Sequence, residues 1–370
     1  MKIYNDNSLI NVSNSILKHY GVKTFHDTCP VVDKALENHR KVVVCLFDGM
    51  GKNIVRKHLK EDSFIRSHYL TTINSTCPPT TVAATNAFLS GRYPIETGWV
   101  SWAQYFEEYN RNIILFRNKD YNTCEIIRDP KDSIADEYYH YDSILDLIKA
   151  NNPNTDVVDM KRYPITLEGP KSLRDGKKKL NRRLKKSNDC FIYFYIDIPD
   201  FYMHATGIDS KITHRTMLKI DKFMKKVANK NKDTLFIVLA DHGHINVEYR
   251  DICDHQDLYE CLRQPLSFEK RTTTFFVKED KKETFVELFN KYYGDIFELM
   301  TREDALNNHL FGLGEPHPHI LKSVGDYIAV AKDKYAIFAS KEMTDYELFK
   351  GHHAGGTEDE RLIDIAVINS

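Results

Sequence analysis

Residues 42–47 read VVVCLF, an unbroken apolar run rich in β-branched side chains that ends in Asp-Gly. A strand buried on both faces of a parallel sheet has this appearance, because neither face has to alternate with water-facing positions. The runs at 190–196 (CFIYFYI), 235–240 (LFIVLA) and 362–368 (LIDIAVI) read the same way. Between them the apolar spacing changes to three and four, which predicts helices over 142–150, 214–228 and 282–292. Strands alternating with helices predict a doubly wound, mostly parallel sheet sandwiched by helices. Residues 246–340 break this alternation, with short strands expected at 273–277, 327–331 and 335–339 and a Gly- and Pro-rich loop at 311–319. They are expected to form a smaller cap inserted within a single α/β domain spanning 1–370.

Length supports that organisation, since 370 residues can bury one large core. Charge adds little: 52 basic and 53 acidic residues leave a formal net charge of −1, which favours neither a nucleic-acid nor a membrane partner. The partner expected is a small molecule, with a homo-oligomer left open. One basic stretch, KKKLNRRLKK at 177–186, reads as a solvated helix face. The seven cysteines form no CxxC pair and are odd in number, which argues against a disulfide framework or a thiolate zinc site. No apolar run reaches the ~18 residues of a membrane span, and the first residues lack the apolar stretch of a secretory leader. A cytoplasmic location is the expectation.

The candidate chemistry lies where the apolar runs end. In open α/β sheets ligands bind beyond the carboxyl ends of the strands. Asp48 follows the first run directly, Asp200 and His204 follow the second within a few residues, and Asp241 with His242 cap the third. Adjacent Asp and His can ligate one ion if the chain turns sharply, a turn that Gly243 permits. Asp200 and His204 are four apart and share one face of a helical turn. His353 sits in the glycine-rich segment GHHAGG ahead of the last strand. Pro78 and Pro79 stop a preceding strand, and the Ala-rich stretch after Thr81 favours a helix. A hydroxyl at that helix start meets unpaired N–H groups and the positive end of the dipole, where a phosphate oxygen is also stabilised. Taken singly, each of these residues reads equally well as a turn, a cap or a solvated pair.

The ordered set FDGMG, PPTT…LSGRYP, DIPDFYMH, ADHG, GHHAGG resembles the alkaline phosphatase superfamily, and within it the type I phosphodiesterase/nucleotide pyrophosphatase branch. The resemblance runs from about residue 42 to 368. It implies an alkaline-phosphatase-like α/β fold and a metal-dependent hydrolase acting on phosphoric ester bonds. It also implies two divalent ions, zinc on these Asp and His donors, with manganese or cobalt as alternatives. In that family a Thr or Ser nucleophile precedes the Gly of a (T/S)G…P stretch by ten residues. Counting back from Gly91 gives Thr81, with Thr80 the neighbouring alternative. By the same resemblance Asp48, Thr81, Asp241 and His242 would surround one ion, and Asp200, His204 and His353 the other. The family's last ligand is normally followed by Gly, where Ala354 follows His353 here, so His352 stays an alternative.

The implied reaction is cleavage of a phosphodiester or pyrophosphate bond in a nucleotide-type substrate, through a phosphothreonine intermediate. One position departs from the pattern. Trp102 stands where the branch places an Asn that donates to a phosphoryl oxygen, so its indole, the local backbone, or stacking of the ring on a substrate would have to serve instead. His244 could contact substrate just outside the metal ligands, or support them. A phosphomonoesterase or phosphonate hydrolase would use the same ions. A sulfatase is disfavoured because Cys77-Pro-Pro-Thr-Thr81 lacks the required Arg and its Cys lies too far from Gly91. A non-catalytic metal- or phosphate-binding protein would be expected to have lost at least one of these residues.

Overall fold

The computed structural model describes residues 7–129, 132–343 and 348–369. Its centre is a six-stranded sheet of β1 (Lys41–Phe47), β2 (Tyr69–Asn74), β3 (Asp156–Lys161), β4 (Cys190–Ile196), β5 (Leu235–Leu239) and β6 (Leu362–Asn369), in spatial order β2-β6-β5-β1-β4-β3. Strands β3, β4, β1 and β5 are parallel, and β6 runs antiparallel to both of its neighbours. The continuous apolar runs are the interior strands: β4 and β5 are buried along their whole length, and β1 everywhere except Lys41. The edge strand β3 has the sequence DVVDMK and is only half-buried. That is why hydrophobic patterning does not announce it.

Register explains why distant residues meet. Phe47 is opposite Ile196 and Leu46 is opposite Leu239, so β1, β4 and β5 end at one level. Asp48 leaves that level first, and the chain after β4 is tied to it, the Asp200 N–H donating to the Asp48 carbonyl at 3.1 Å. Antiparallel β6 begins where the others end, with Leu362 opposite Asn74. The segments 75–81 and 351–361 therefore reach the same rim from the other side. Helices cover the faces. Lys211–Ala228 buries Met217, Ile220, Phe223 and Met224. Leu173–Lys186, which carries the basic stretch, turns Leu180 and Leu184 inward and leaves its lysines on the surface.

Between about 246 and 340 the chain builds a second, antiparallel sheet of Ser267–Phe268, Thr272–Phe275, Tyr327–Ala331 and Phe297–Thr301. The helix Lys282–Tyr293 packs Phe285, Phe289 and Tyr293 into a core belonging to this sheet. A three-stranded sheet that patterning did not predict, Ala103–Phe106, Arg111–Ile114 and Lys119–Asp120, carries an aromatic cluster of Trp99, Phe106 and Tyr139. His317 and His319 pack against it, with His319 4.7 Å from Phe106 and His317 5.3 Å from Tyr139. Gln104 is spent on the backbone of Gly98, Val100 and Ser101. Among the described residues no helix is long and apolar enough to cross a membrane. All seven cysteines are free thiols.

Candidate metal centre

Thr80 is the cap of the helix Thr81–Ser90, and its hydroxyl donates to Glu269 Oε1 at 2.9 Å. Thr81, the first helical residue, is thereby turned into the rim. Its Oγ1 lies 3.3 Å from Asp48 Oδ1 and 3.1 Å from His242 Nε2. His242 Nε2 lies 3.4 Å from Asp48 Oδ1 and 3.4 Å from Asp241 Oδ2. Two atoms each about 2.0–2.1 Å from one tetrahedral ion are about 3.3–3.4 Å apart. Four of the six separations among the ligand atoms of Asp48, Thr81, Asp241 and His242, at 3.1–3.4 Å, are thus close to the edge lengths of a four-ligand centre.

The surroundings set the direction of these donors. His242 Nδ1 donates to the Gly243 carbonyl at 2.8 Å, which leaves the Nε2 lone pair facing the cluster. The Gly49 N–H donates to Asp241 Oδ1 at 3.0 Å, so Oδ2 is the oxygen presented to the centre. The Tyr195 hydroxyl donates to Asp48 Oδ2. Gly243 serves a different purpose from the sharp turn that the sequence suggested. It lies against Gly51, where a Cβ would come within 2.3 Å of its Cα, and a Cβ of its own would meet the Asp359 carbonyl at 1.9 Å. Glycine is needed here for close approach of loops.

Asp200, at the start of the helix Asp200–Thr206, faces His204 one turn later, with Oδ2 3.2 Å from His204 Nε2. His204 Nδ1 donates to the Gly351 carbonyl at 3.1 Å, again aiming Nε2 inward. Asp200 Oδ1 lies 3.2 Å from His244 Nε2 and 3.8 Å from His353 Nε2. Asp200, His204 and His244 offer ligand atoms close enough together for one ion, and so do Asp200, His242 and His353. His353 bridges the two groups, its ring stacked on His242 with centroids 3.9 Å apart. His352 turns its Nδ1 back onto its own loop, within 2.9 Å of the His353 N–H. The sequence reading set His244 just outside the metal ligands or in support of them, and its ring lies beside Asp200 and His204.

Electrostatics make the rim a place for cations. Burial raises Asp48 well above the usual carboxylate range, reinforced by Asp241 and Asp200, and burial moves Asp241 up to about 7. Burial also opposes charge on Asp200, but His204 and His244 outweigh it and hold Asp200 well below its ordinary value. His204 is raised to about 9 by Asp200 against the opposing effect of burial. Three carboxylates buried at one rim make each other's ionisation costly, a cost that bound divalent ions would offset. Several of these atoms have no hydrogen-bond partner: Asp200 Oδ1, Asp241 Oδ2, His353 Nδ1 and both ring nitrogens of His244. Buried polar atoms are ordinarily paired, so the donor set fits two ions.

Sequence reasoning missed Tyr195 and Glu269. Tyr195 could have been suspected, because a phenol near the end of a fully buried strand needs a partner. Glu269 had no signal. It is buried beside the helix Thr81–Ser90, and besides the Thr80 hydroxyl it accepts the Trp102 backbone N–H at 2.9 Å, so that amide is not free for a phosphoryl oxygen. The Trp102 ring lies beside Phe116, 6.1 Å between centroids, with the Arg117 guanidinium 5.5 Å above it.

The strand ends of the sheet present two adjoining Asp/His clusters and a helix-start threonine at one rim, the setting of an α/β hydrolase site. The model of the type I phosphodiesterase/nucleotide pyrophosphatase family matches residues 117–356. The chain belongs to that family, hydrolases acting on phosphoric ester bonds. Among solved structures it resembles human ectonucleotide pyrophosphatase/phosphodiesterase 5, at 16% identity over 88% of this chain and 87% of that one, with a TM-score of 0.66. It also resembles the murine protein of the same name, an inactive threonine-to-alanine variant in complex with AMP, at 15% identity over 89% and 88% of the chains, with a TM-score of 0.65. At these identities the likeness establishes the alkaline-phosphatase-like fold. No curated protein matches the sequence.

Proposed function

We propose that the protein cleaves phosphodiester or pyrophosphate bonds of nucleotide-type substrates by two in-line displacements, with Thr81 as nucleophile. The observation that carries this reading is the Thr81 hydroxyl at a helix start, 3.3 Å from Asp48 Oδ1 and 3.1 Å from His242 Nε2. Asp48, Thr81, Asp241 and His242 would hold one divalent ion, and Asp200, His204 and His353 the other. Zinc suits these donors, with manganese or cobalt as alternatives. When bound, such ions lower the pKa of the hydroxyl and neutralise the phosphoryl oxygens.

The residues of the chain do the rest. Asp48 faces the Thr81 hydroxyl, and the first N–H groups of the helix meet the phosphoryl oxygens at its positive end. The Thr81 oxygen bonds to phosphorus as the bond to the leaving oxygen breaks, and that oxygen departs with a proton. Water then attacks phosphorus from the opposite side, the bond to Thr81 breaks, and a proton returns to the hydroxyl. Two inversions retain the configuration at phosphorus.

The nucleotide character rests on the family and on the AMP bound by the murine relative. With its backbone N–H held by Glu269, Trp102 is left its half-buried ring as a surface for a base or an aryl group. Arg271, buried behind the rim, is committed to Glu360 and cannot clamp a monoester dianion. Free thiols suit a reducing compartment, and a cytoplasmic location is part of this proposal. A screen of nucleotide diesters, pyrophosphates, monoesters and phosphonates with zinc-loaded protein tests the reading. Diesters or pyrophosphates should turn over, and Thr81→Ala should lose at least about 10³-fold in kcat. Turnover of monoesters alone would contradict the substrate class.

A further inference from the structure

His244 is the strangest residue of the rim. It is fully buried, yet neither of its ring nitrogens has a hydrogen-bond partner. Leaving a buried polar atom unpaired costs about 1–3 kcal/mol, and a fold does not spend that twice on one ring without return. The position of the ring is built. The His244 carbonyl accepts from Asn53 Nδ2 at 2.8 Å, which fixes the backbone. Gly351 makes room for the imidazole, since a Cβ there would come within 2.9 Å of His244 Cε1.

The ring so placed presents Nε2 to Asp200 Oδ1 at 3.2 Å without hydrogen-bond alignment, the same separation as His204 Nε2 from Asp200 Oδ2. Both distances match the ~3.3 Å edge of a tetrahedral zinc centre. His353 stands farther from Asp200, at 3.8 Å, and stacks on His242. Resting on the two-ion reading above, we propose that His244 is a further direct ligand of the second ion, beside Asp200, His204 and His353. Asp200, His204 and His244 then make an Asp-His-His set before His353 is counted. This ion should be the more tightly held of the two.

The test uses metal-stripped full-length protein titrated with Zn²⁺ against a chromophoric chelator, comparing wild type, His204→Asn and His244→Asn. Thermal melts of the metal-free forms check folding. The expected result is two ions on wild type and one tight ion on either variant, with affinity at the second site lowered by about 100-fold or more, beyond the range for residues that merely support a ligand. Two ions bound to His244→Asn with wild-type affinity would overturn the assignment. Fewer than two ions on wild type would overturn the two-ion reading itself, and the assignment with it. His244→Cys, loaded with Co²⁺, gives an independent readout. A thiolate-to-cobalt charge-transfer band is expected if position 244 touches the ion, and its absence in a folded, cobalt-loaded protein would overturn the proposal.

Discussion

Two buried charge clusters lie side by side at the rim and are built on opposite principles. In one, Arg271 gives two parallel bonds of 2.7 Å to Glu360 and further bonds to the carbonyls of Tyr335 and Asp333. Glu360 also accepts from the Gly355 N–H at 2.7 Å and the Thr357 hydroxyl at 2.6 Å. Neither side chain is exposed, and every charge has its partner. In the other, three carboxylates and four imidazoles crowd together with five polar atoms unpartnered. The first cluster is a closed scaffold and the second is a set of open donors. The scaffold holds the donors: Glu360 accepts the Gly243 N–H through its own carbonyl at 2.7 Å, and Thr272, next to Arg271, donates to the Ala354 carbonyl at 2.6 Å. One node thus fixes both the loop that carries His242 and the loop that carries His353.

The largest effect on stability should come from opening the closed cluster. Glu360→Ala leaves Arg271 buried without its counter-charge, and a loss of about 3–5 kcal/mol is expected in denaturant unfolding, with or without metal present. A loss under about 1 kcal/mol would mean that the pair is not the anchor of the two loops.

The open cluster should behave the other way. Its stability should depend on what it binds, so chelation should lower the melting temperature of wild type by the equivalent of about 2.7 kcal/mol for each ion present at 100 times its Kd. If chelation leaves the melting temperature unmoved, the donors do not need cations and the contrast fails.

Half-buried Glu342 has neither an arginine nor a set of ligands around it. Burial pushes it up to about 7, although it accepts the Leu266 N–H at 3.0 Å. In the unfolded chain a glutamate titrates near ~4.3, so folding favours the protonated form. The contribution is present below about pH 4 and is lost as pH rises through about 7. Glu342→Gln should remove that decline, on the order of 2 kcal/mol between about pH 5 and 8, measured as the urea midpoint against pH. An unchanged pH slope would show that Glu342 is solvated or paired after all.

The smallest effect concerns the loop between the clusters. Ala354 is fully buried at φ +81°, a left-handed conformation that costs a residue with a Cβ about 1–2 kcal/mol. Ala354→Gly removes that strain and adds unfolded-state entropy, so a gain of up to about 1 kcal/mol is expected. A clear loss would show that the methyl group packs against the ligand loop.

Much of this contrast was legible in sequence, but unequally. The interior strands announce themselves by continuous hydrophobicity, and Asp48, Asp200 and Asp241 are found because the rim of such a sheet lies where its apolar runs stop. Spacing from Gly91 pointed to Thr81, and the structure turns Thr81 inward while Glu269 occupies Thr80. The half-buried edge strand β3 and the sheet of Ala103–Phe106 escaped because neither has the apolar continuity of an interior strand. For His244 the sequence reading left a substrate contact or a supporting role open, because residue order does not say which way a ring points after a strand end. The Arg271–Glu360 node joins residues 89 positions apart, and nothing in either local sequence marks it.

The most direct test of the central claim is mass spectrometry of zinc-loaded protein quenched during turnover of a nucleotide diester. The account predicts a covalent phosphoester adduct on the peptide carrying Thr81, absent from Thr81→Ala. Full turnover by Thr81→Ala, or an adduct on another residue, would contradict it.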